Sequence, residues 1–527
     1  MAREAQASFA AQARPGDLEF ELKLAGPAPA VRRAFELLAA GEPDRTRHLV
    51  STYFDTADRR LAAKGYTLRL RQSGSGATQT LKADRTAPAR LELECDVAGL
   101  RPDLAAFRDP GARQALGAVL PEELETCFVT DVQRRTCRVS LSDEFGRAGE
   151  AEIAHDRGHL VLGNGSREPI DELEIESKSG DRQAVFTLAE RAVAAGVSRL
   201  VVRSKAARGH DLATGRPPSA SKATRVRLER DLPLGRALGE IFENCFAQWY
   251  ANHDAAFDGR DSEGVHQLRV AIRRLRSALS SFGRFLAPNR RAWLKDEAKA
   301  VMGALGPARD LDVFIEELLP PVAETRPNDA ALGAMRAAAA DARALAYDRV
   351  RDMLESPRYA RFLLEFGAWI ERRGWLAETD REGHEAFESP VGPIADNLLA
   401  RRAKVCRKRG RHFEELDVPA RHQVRIALKK LRYAIDFTRD LYPAKRVKPY
   451  LAHLTRLQDA FGQMNDRAQA EALLDDLAQG DDLRLREARG LVLGWYGHAA
   501  GNNEAELIAD WRAFEAAEPF WDGPGRC

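Results

Sequence analysis

Glu19-Phe20-Glu21-Leu22-Lys23 alternates charged and apolar side chains with the two-residue period of a strand. Glu19, Glu21 and Lys23 therefore share one face, and Phe20 and Leu22 the other. Working outward, the same alternation governs Leu18 to Leu24 and returns in Tyr66 to Arg71 with Leu68-Arg69-Leu70-Arg71, in Leu81-Lys82, and in Leu91-Glu92-Leu93-Glu94 within Leu91 to Val97. It returns again in Arg138 to Leu141, in Glu150 and Glu152, and in Glu172-Leu173-Glu174-Ile175-Glu176. Helix-like stretches, Ala30 to Ala40 and Arg182 to Ala195, lie between these strands, each followed by a glycine, Gly41 or Gly196, suited to a left-handed cap. The region up to about Val202 reads as α+β and is dominated by strands. Gly209 to Leu234, with Gly215, Pro217, Pro218 and Pro233 around the strand-like run Thr224 to Leu228, reads as a last strand and a linker.

An antiparallel sheet with one solvated face gives this pattern without any active site. These strands, however, favour long acidic and basic residues over Thr, Ser or Gln, and the acidic and basic strands are separate. If the charged faces turn into a closed barrel, the glutamates suit a hard divalent cation and the arginines and lysines suit phosphate oxygens.

Glu19-Phe20-Glu21-Leu22-Lys23 resembles the ExExK strand of the CYTH superfamily, the triphosphate tunnel metalloenzymes, and Tyr53-Phe54-Asp55-Thr56 resembles its second recurring motif. The resemblance covers roughly residues 17 to 230. It implies an eight-stranded antiparallel tunnel that binds triphosphate-containing substrates with Mg²⁺ or Mn²⁺. The metal ligands it implies are Glu19, Glu21, Glu92, Glu94, Glu152, Glu174 and Glu176; the substrate-binding residues are Lys23, Arg69, Arg71, Lys82, Arg135 (with Arg134 as the other choice), Arg203 and Lys205. Glu19, Glu21, Lys23, Lys82, Glu174 and Glu176 are the expected catalytic residues. Ala207 departs from the family, whose members often carry an acidic residue there.

Beyond Leu234 the apolar period lengthens to that of a helix, with Ala, Leu, Arg and Glu dominating through residue 517. This helical region repeats itself at an offset of 156 residues. His266, Arg269, Arg273, Arg274, Arg276, Gly306 and Asp310 map onto His422, Arg425, Lys429, Lys430, Arg432, Gly462 and Asp466. At about 100° per residue, His266, Arg269, Arg273 and Arg276 fall on one helical stripe, and so do their counterparts. The run Arg401 to Arg411 either extends this basic track or is solvated surface. Val265-His266-Gln267-Leu268-Arg269-Val270 and Gly306-Pro307-Ala308-Arg309-Asp310-Leu311-Asp312 resemble the CHAD domain, from about 236 to 515. That resemblance implies an internally duplicated helical bundle that binds inorganic polyphosphate through His266, Arg269, Arg273, Arg274, Arg276, His422, Arg425, Lys429, Lys430 and Arg432. Asp310 and Asp466 are expected to orient basic side chains or cap local backbone rather than perform chemistry.

The expected division is a loose tail at 1–16, a tunnel core at 17–208, a last strand and linker at 209–235, and the helical domain at 236–515 with repeats centred near 266–310 and 422–466. Six cysteines lack metal-ligand spacing and read as reduced thiols. The formal charge of +2 over 527 residues hides acidic alternating strands and basic helices. No signal sequence or apolar membrane span is read, so a cytoplasmic location is expected, with association to polyphosphate granules as an extension. The function expected is metal-dependent hydrolysis of inorganic triphosphate; thiamine triphosphatase, adenylate cyclase and a non-catalytic polyphosphate receptor are the alternatives. No nucleic-acid reader motif is visible.

Overall fold

The computed structural model describes residues 18–73, 76–83, 89–142, 148–379, 381–500 and 504–521, and the side chains of 18, 19, 73, 83, 89–92, 463, 465–468 and 498–500 are not described. The expected tail at 1–16 lies outside these residues. The chain forms two compact units. The first runs through Ser221 and adds Tyr250–Gly264 and Leu354–Arg372; the second comprises Lys222–Trp249, Val265–Met353 and Arg373–Cys527.

The first unit is built on β1 (Leu18–Ala25), β2 (Asp44–Thr56), β3 (Tyr66–Ser73), β4 (Gly76–Ala83), β5 (Ala89–Val97), β6 (Leu124–Ser142), β7 (Ala148–Leu162), β8 (Arg167–Gly180) and β9 (Arg199–Leu200). The order β5-β4-β3-β2-β6-β7-β8-β1 closes because β1 pairs with both β5 and β8. Eight antiparallel strands thus form a barrel, which removes the sheet edges, and β9 adds to β1 at Leu24 and Ala25.

Side-chain alternation puts the rows of charged residues inside this barrel and a leucine-rich face outside. Helices α1 (Ala28–Ala39), α2 (Pro110–Leu116), α3 (Gln183–Ala194) and α4 (Lys205–Thr214) belong to this unit. Phe20, Leu22 and Leu24 point outward and are buried, with the Phe20 ring 5.6 Å from Phe186 of α3. Leu68, Leu70 and Leu81 pack with Leu61, Ala112 and Leu116. On the inner face, beyond the charged rows, Tyr53, Phe128, Leu160 and Ile170 pack with Ala206 of α4. Each buried leucine contributes roughly 1.5–3 kcal/mol. A one-residue slip of a strand would turn Leu22, Leu68, Leu70 or Leu81 inward and the charges outward, so the outer core fixes the register of the inner face. Gly209 is required for the seat of α4, since a Cβ there would lie 2.3 Å from the Phe128 ring.

The strand expected at Thr224 to Leu228 is absent: residues 216–229 form no ladder. Val226 and Leu228 are nonetheless buried between exposed neighbours, and Asn244 donates to the Thr224 carbonyl. An extended segment lying on an apolar surface produces the same alternation as a paired strand. The helix Pro357–Glu371 also joins the first unit, where Gln183 Nε2 donates to the Ala368 carbonyl at 3.0 Å. The compact units therefore cross the sequence boundaries.

In the second unit, α5 (Leu234–Ala251), α6 (Glu263–Ser281) and α7 (Pro288–Val313) are followed later by α8 (Val391–Arg409), α9 (Val418–Thr438) and α10 (Ala444–Leu477), and α11 (Glu504–Ala516) is the last described helix. The offset of 156 residues carries α7 from its start at Pro288 to Ala444, and the short 3-10 turn Gly283–Phe285 to Arg439–Leu441. The starts of α5 and α6 map to within one residue of those of α8 and α9. Among the described residues no helix is long and apolar enough to cross a membrane.

Candidate functional site

Cross-strand register assembles the inner face of the barrel. Glu21 stands opposite Glu176, and Glu176 opposite Glu152, which makes a row of carboxylates across β1, β8 and β7. Lys23 stands opposite Glu174 in the next row, and Glu172 opposite Asp156 beyond it. Glu21, Lys23, Asp156, Glu172 and Glu174 are all buried, so this is no solvated sheet face.

The oxygens of Asp156, Glu172 and Glu174 lie within 4.8 Å of one another. Lys205, at the first turn of α4, places Nζ 2.7 Å from Asp156 and 2.8 Å from Glu174, and also contacts Glu172. Arg134 Nε donates to Asp156 at 2.6 Å, its Nη2 contacts Glu174, and Arg208 Nη1 meets Glu172 at 2.6 Å. Burial by itself would raise the Glu174 carboxyl, but Lys205, Lys23 and Arg134 hold it well below the usual carboxylate range. Burial likewise opposes the ionised form of Glu172, and Lys205 with Arg208 overcomes it, leaving a lowered pKa. For Lys205 burial opposes the charge and the three carboxylates prevail, raising its pKa.

The facing wall is basic. Arg69 Nη2 donates to Thr80 Oγ1 at 3.0 Å and to Glu94 at 3.3 Å, and Arg71 Nε donates to Ser51 Oγ at 3.2 Å. Lys82 is half-buried and stands opposite Thr67 and Glu92 in the same register. Arg69, Arg71 and Lys82 thus share an inner face with neutral hydroxyls between them, an arrangement able to exchange its side-chain acceptors for phosphate oxygens.

The structure departs from the expected residues at several points. Arg135 faces outward, bonded to Asp44 at 2.6 Å and placed over the Phe35 ring of α1 at 4.7 Å. Arg134 is the inward residue. Arg203 does not join the carboxylates: its Nη2 meets Asp211 at 2.5 Å and the Ala207 carbonyl at 2.7 Å on α4. The side chains of Glu19 and Glu92 lie outside the described set. Asp156, Glu172 and Arg208 were missed. The parity of Glu174 and Glu176 already places Glu172 on the inner face; Asp156 gave no such signal, because His155 and Arg157 beside it are also polar.

Asp156, Glu172 and Glu174 have the hard oxygen chemistry and the spacing of a divalent-cation site. Their three charges are already met by Lys205, Arg134 and Arg208. The row Glu21, Glu176 and Glu152 is met instead by Lys23 and by Lys178 and Arg138, the last two exposed and therefore readily displaced.

In the helical unit, α6 carries His266, Arg269, Arg273 and Arg276, and α9 carries His422, Arg425, Lys429 and Arg432. Arg274 leaves this stripe: it is buried, and donates to Gln248 at 2.9 Å and Asn244 at 2.5 Å. Arg269 Nε and Nη1 are buried without hydrogen-bond partners. Burial pushes the Arg269 pKa down, Asp310 opposes, and Arg273 and Arg309 add to the fall. A Cβ at Gly306 would lie 3.3 Å from Arg269 Nη1, so the glycine leaves room for that guanidinium. Lys430 is lowered by burial and then by Arg402, Arg409, Lys295 and Arg276. Lys295 is lowered by burial and by Arg291, Arg276 and Arg402. Cations from α6, α7, α8 and α9 are therefore within electrostatic reach of one another, a concentration of like charge that an anion relieves. The side chain of Asp466 is not described.

Residues 17–208 match the CYTH domain family and residues 240–475 the CHAD domain family. An uncharacterized protein of Mycobacterium tuberculosis strain H37Rv is 26% identical over 460 residues, covering 80% of this chain and 82% of that one. The inorganic triphosphatase of Haemophilus influenzae is 31% identical over 151 residues, covering 27% of this chain and 39% of that one. The crystal structure of the CHAD domain from the plant Ricinus communis is 29% identical with a TM-score of 0.50, covering 57% of this chain and 98% of that chain.

Proposed function

This chain joins a CYTH domain to a CHAD domain, and from that premise we propose that the barrel hydrolyses inorganic triphosphate to pyrophosphate and phosphate while the helical half binds inorganic polyphosphate. A CYTH domain and a triphosphatase relative support a triphosphatase-type hydrolase. The observation that carries the finer reading is the closed barrel whose inner face sets buried carboxylates against Arg69, Arg71 and Lys82. Glu21, Glu176 and Glu152 are the residues that would hold Mg²⁺ or Mn²⁺, which when bound supplies charge neutralisation and a polarised water. Arg69, Arg71 and Lys82 bind the equatorial oxygens and stabilise the charge that grows as the terminal phosphoryl group passes to water. Lys23, between Glu21 and Glu174, sits where it can bridge the acidic wall and the substrate. Arg134 and Lys205 hold Glu174 and Asp156 in place, and together with Lys23 they keep Glu174 ionised.

The helical half meets a long polyanion with the stripes of α6 and α9 and with Lys295, Arg402 and Lys430. Charge release on binding makes the affinity strongly salt-dependent. The test of the enzymatic reading is product analysis with inorganic triphosphate, ATP and thiamine triphosphate, with and without Mg²⁺ or Mn²⁺. Metal-dependent release of pyrophosphate and phosphate is expected, and Glu21→Gln should lower turnover about 100-fold or more while leaving polyphosphate binding intact. Triphosphate that binds but yields no product would reject the assignment.

A further inference from the structure

The two ends of the barrel's inner face differ. At one end Tyr53, Phe128, Leu160 and Ile170 pack with Ala206, so apolar side chains and α4 close the lumen there. Outward from Tyr53 the inner face of β2 runs Ser51, Leu49, Arg47 and Arg45, because Ser51 holds the inward Arg71 and alternate residues share its face. The register against β6 agrees. Arg47 stands opposite Arg134 and Arg45 opposite Thr136, and Arg134 is bonded to the inner carboxylates Asp156 and Glu174.

Among the described residues β3 pairs with β2 only from Ser51 to Phe54, so the wall of Arg69 and Arg71 ends at Ser51 and β2 carries on past it. At about 3.3 Å per residue, Arg47 lies roughly 13 Å and Arg45 roughly 20 Å beyond Ser51 along the strand. Both are exposed, and among the described residues neither side chain enters an ion pair or hydrogen bond. The carboxylates beside this mouth, Glu150 and Glu152, are already met by Arg138 and Lys178. Arg47 also faces Arg134, a like-charge pairing across strands that costs stability until an anion offsets it.

Resting on the triphosphatase reading of the barrel, we propose that Arg45 and Arg47 form an outer subsite for phosphates beyond the third. The barrel then takes linear inorganic polyphosphates longer than triphosphate, and takes them by their ends. With the α4 end closed, such a chain does not thread through. Its terminal phosphate lies among Glu21, Arg69 and Lys82, and the remainder leaves past Arg47 and then Arg45. A water oxygen bonds to the terminal phosphorus, the bridging P–O bond breaks, the shortened chain leaves with the bridging oxygen, and the water gives up a proton to solvent. A nucleoside triphosphate places a sugar and a base at this mouth in place of charge, and gains nothing from the pair.

The test compares a linear hexaphosphate with triphosphate on the full-length chain, in Mg²⁺ at one ionic strength. The double variant Arg45→Gln with Arg47→Gln should lose at least roughly fivefold more kcat/KM for hexaphosphate than for triphosphate, since charge-assisted hydrogen bonds to phosphate are lost only by the longer chain. Equal losses for the two substrates would overturn the outer subsite, as would a wild-type chain that cleaves triphosphate but not hexaphosphate. Wild type that cleaves neither would defeat the triphosphatase reading and this one with it. A second measurement needs only the wild-type chain. Phenylglyoxal labelling of Arg45 and Arg47, quantified by mass spectrometry with EDTA present so that neither substrate is consumed, should fall in hexaphosphate and stay at its buffer level in triphosphate. Hexaphosphate held by the helical half does not enter a reading taken at these two residues. Equal labelling in buffer, triphosphate and hexaphosphate would show the pair to be solvated charge and overturn the proposal.

Discussion

Replacing Lys205 by methionine keeps the length and apolar bulk of the stem and removes the ammonium. In the native barrel that ammonium lies 2.7 Å from Asp156 and 2.8 Å from Glu174, and it contacts Glu172. Asp156 and Glu172 are 1% and 2% exposed, so solvent does little to replace it. Removing one partner of a buried charged group costs about 3–5 kcal/mol; Arg134 and Arg208 remain, so the lower end, about 3 kcal/mol, is expected. For a unit of this size that corresponds to a fall in melting temperature on the order of 10 °C. The sign with pH follows from the depressed carboxyls. Glu172 and Glu174 contribute stability that is fully present above their unfolded pKa of 4.5 and is lost as pH falls through the lower folded values. The gap between wild type and Lys205→Met should be widest above pH 4.5 and should close below it. With the carboxylates no longer neutralised by Lys205, millimolar Mg²⁺ should stabilise the variant more than the wild type. Thermal unfolding of the full chain between pH 3 and 8, with and without Mg²⁺, provides the measurement. A variant as stable as wild type at pH 7, or a deficit equally large at pH 3.5, would show that the ammonium is not what holds the three carboxylates together.

Other outcomes test the placement of particular side chains. Arg134→Gln should destabilise the barrel by about 3 kcal/mol or more and abolish turnover, whereas Arg135→Gln removes a partly exposed pair and should cost about 1 kcal/mol or less; urea unfolding and turnover of the two variants side by side check the direction of β6. Acid unfolding of the wild-type barrel, followed by near-ultraviolet circular dichroism, should begin as pH falls below 4.5, since the Glu172 and Glu174 pKa values are lowered from that value. Arg276→Glu in the first repeat and Lys430→Glu in the second should each weaken polyphosphate binding and reduce the slope of log affinity against log salt by about 1 or more; fluorescence anisotropy at several salt concentrations reads both, and unchanged slopes for folded variants would move the polyanion elsewhere.

The alternation in Glu19-Phe20-Glu21-Leu22-Lys23 and its returns determined that one face of these strands is charged and one apolar, because a strand leaves no other placement for successive side chains. The helical period after Leu234 and the offset repeat were likewise properties of the chain itself, and the repeated starts of α7 and α10 follow them. What alternation left open was which face is enclosed. Burial of Phe20, Leu22, Leu68 and Leu70 on the outer face decides this, because β1 pairs on both sides and closes the sheet around the charges. Arg134 and Arg135 are chemically alike and adjacent, so only the register of β6 against β2 and β7 separates the inward one from the outward one. Thr224 to Leu228 shows the converse limit: alternate burial needs one apolar surface, whereas a strand needs a hydrogen-bonded neighbour, and that neighbour is supplied by tertiary structure alone. Lys205 reaches Asp156, Glu172 and Glu174 from a helix, across 49 residues from the first of them to itself. No local pattern encodes that meeting, because it arises from chain segments brought together only when α4 docks on Phe128 through Gly209.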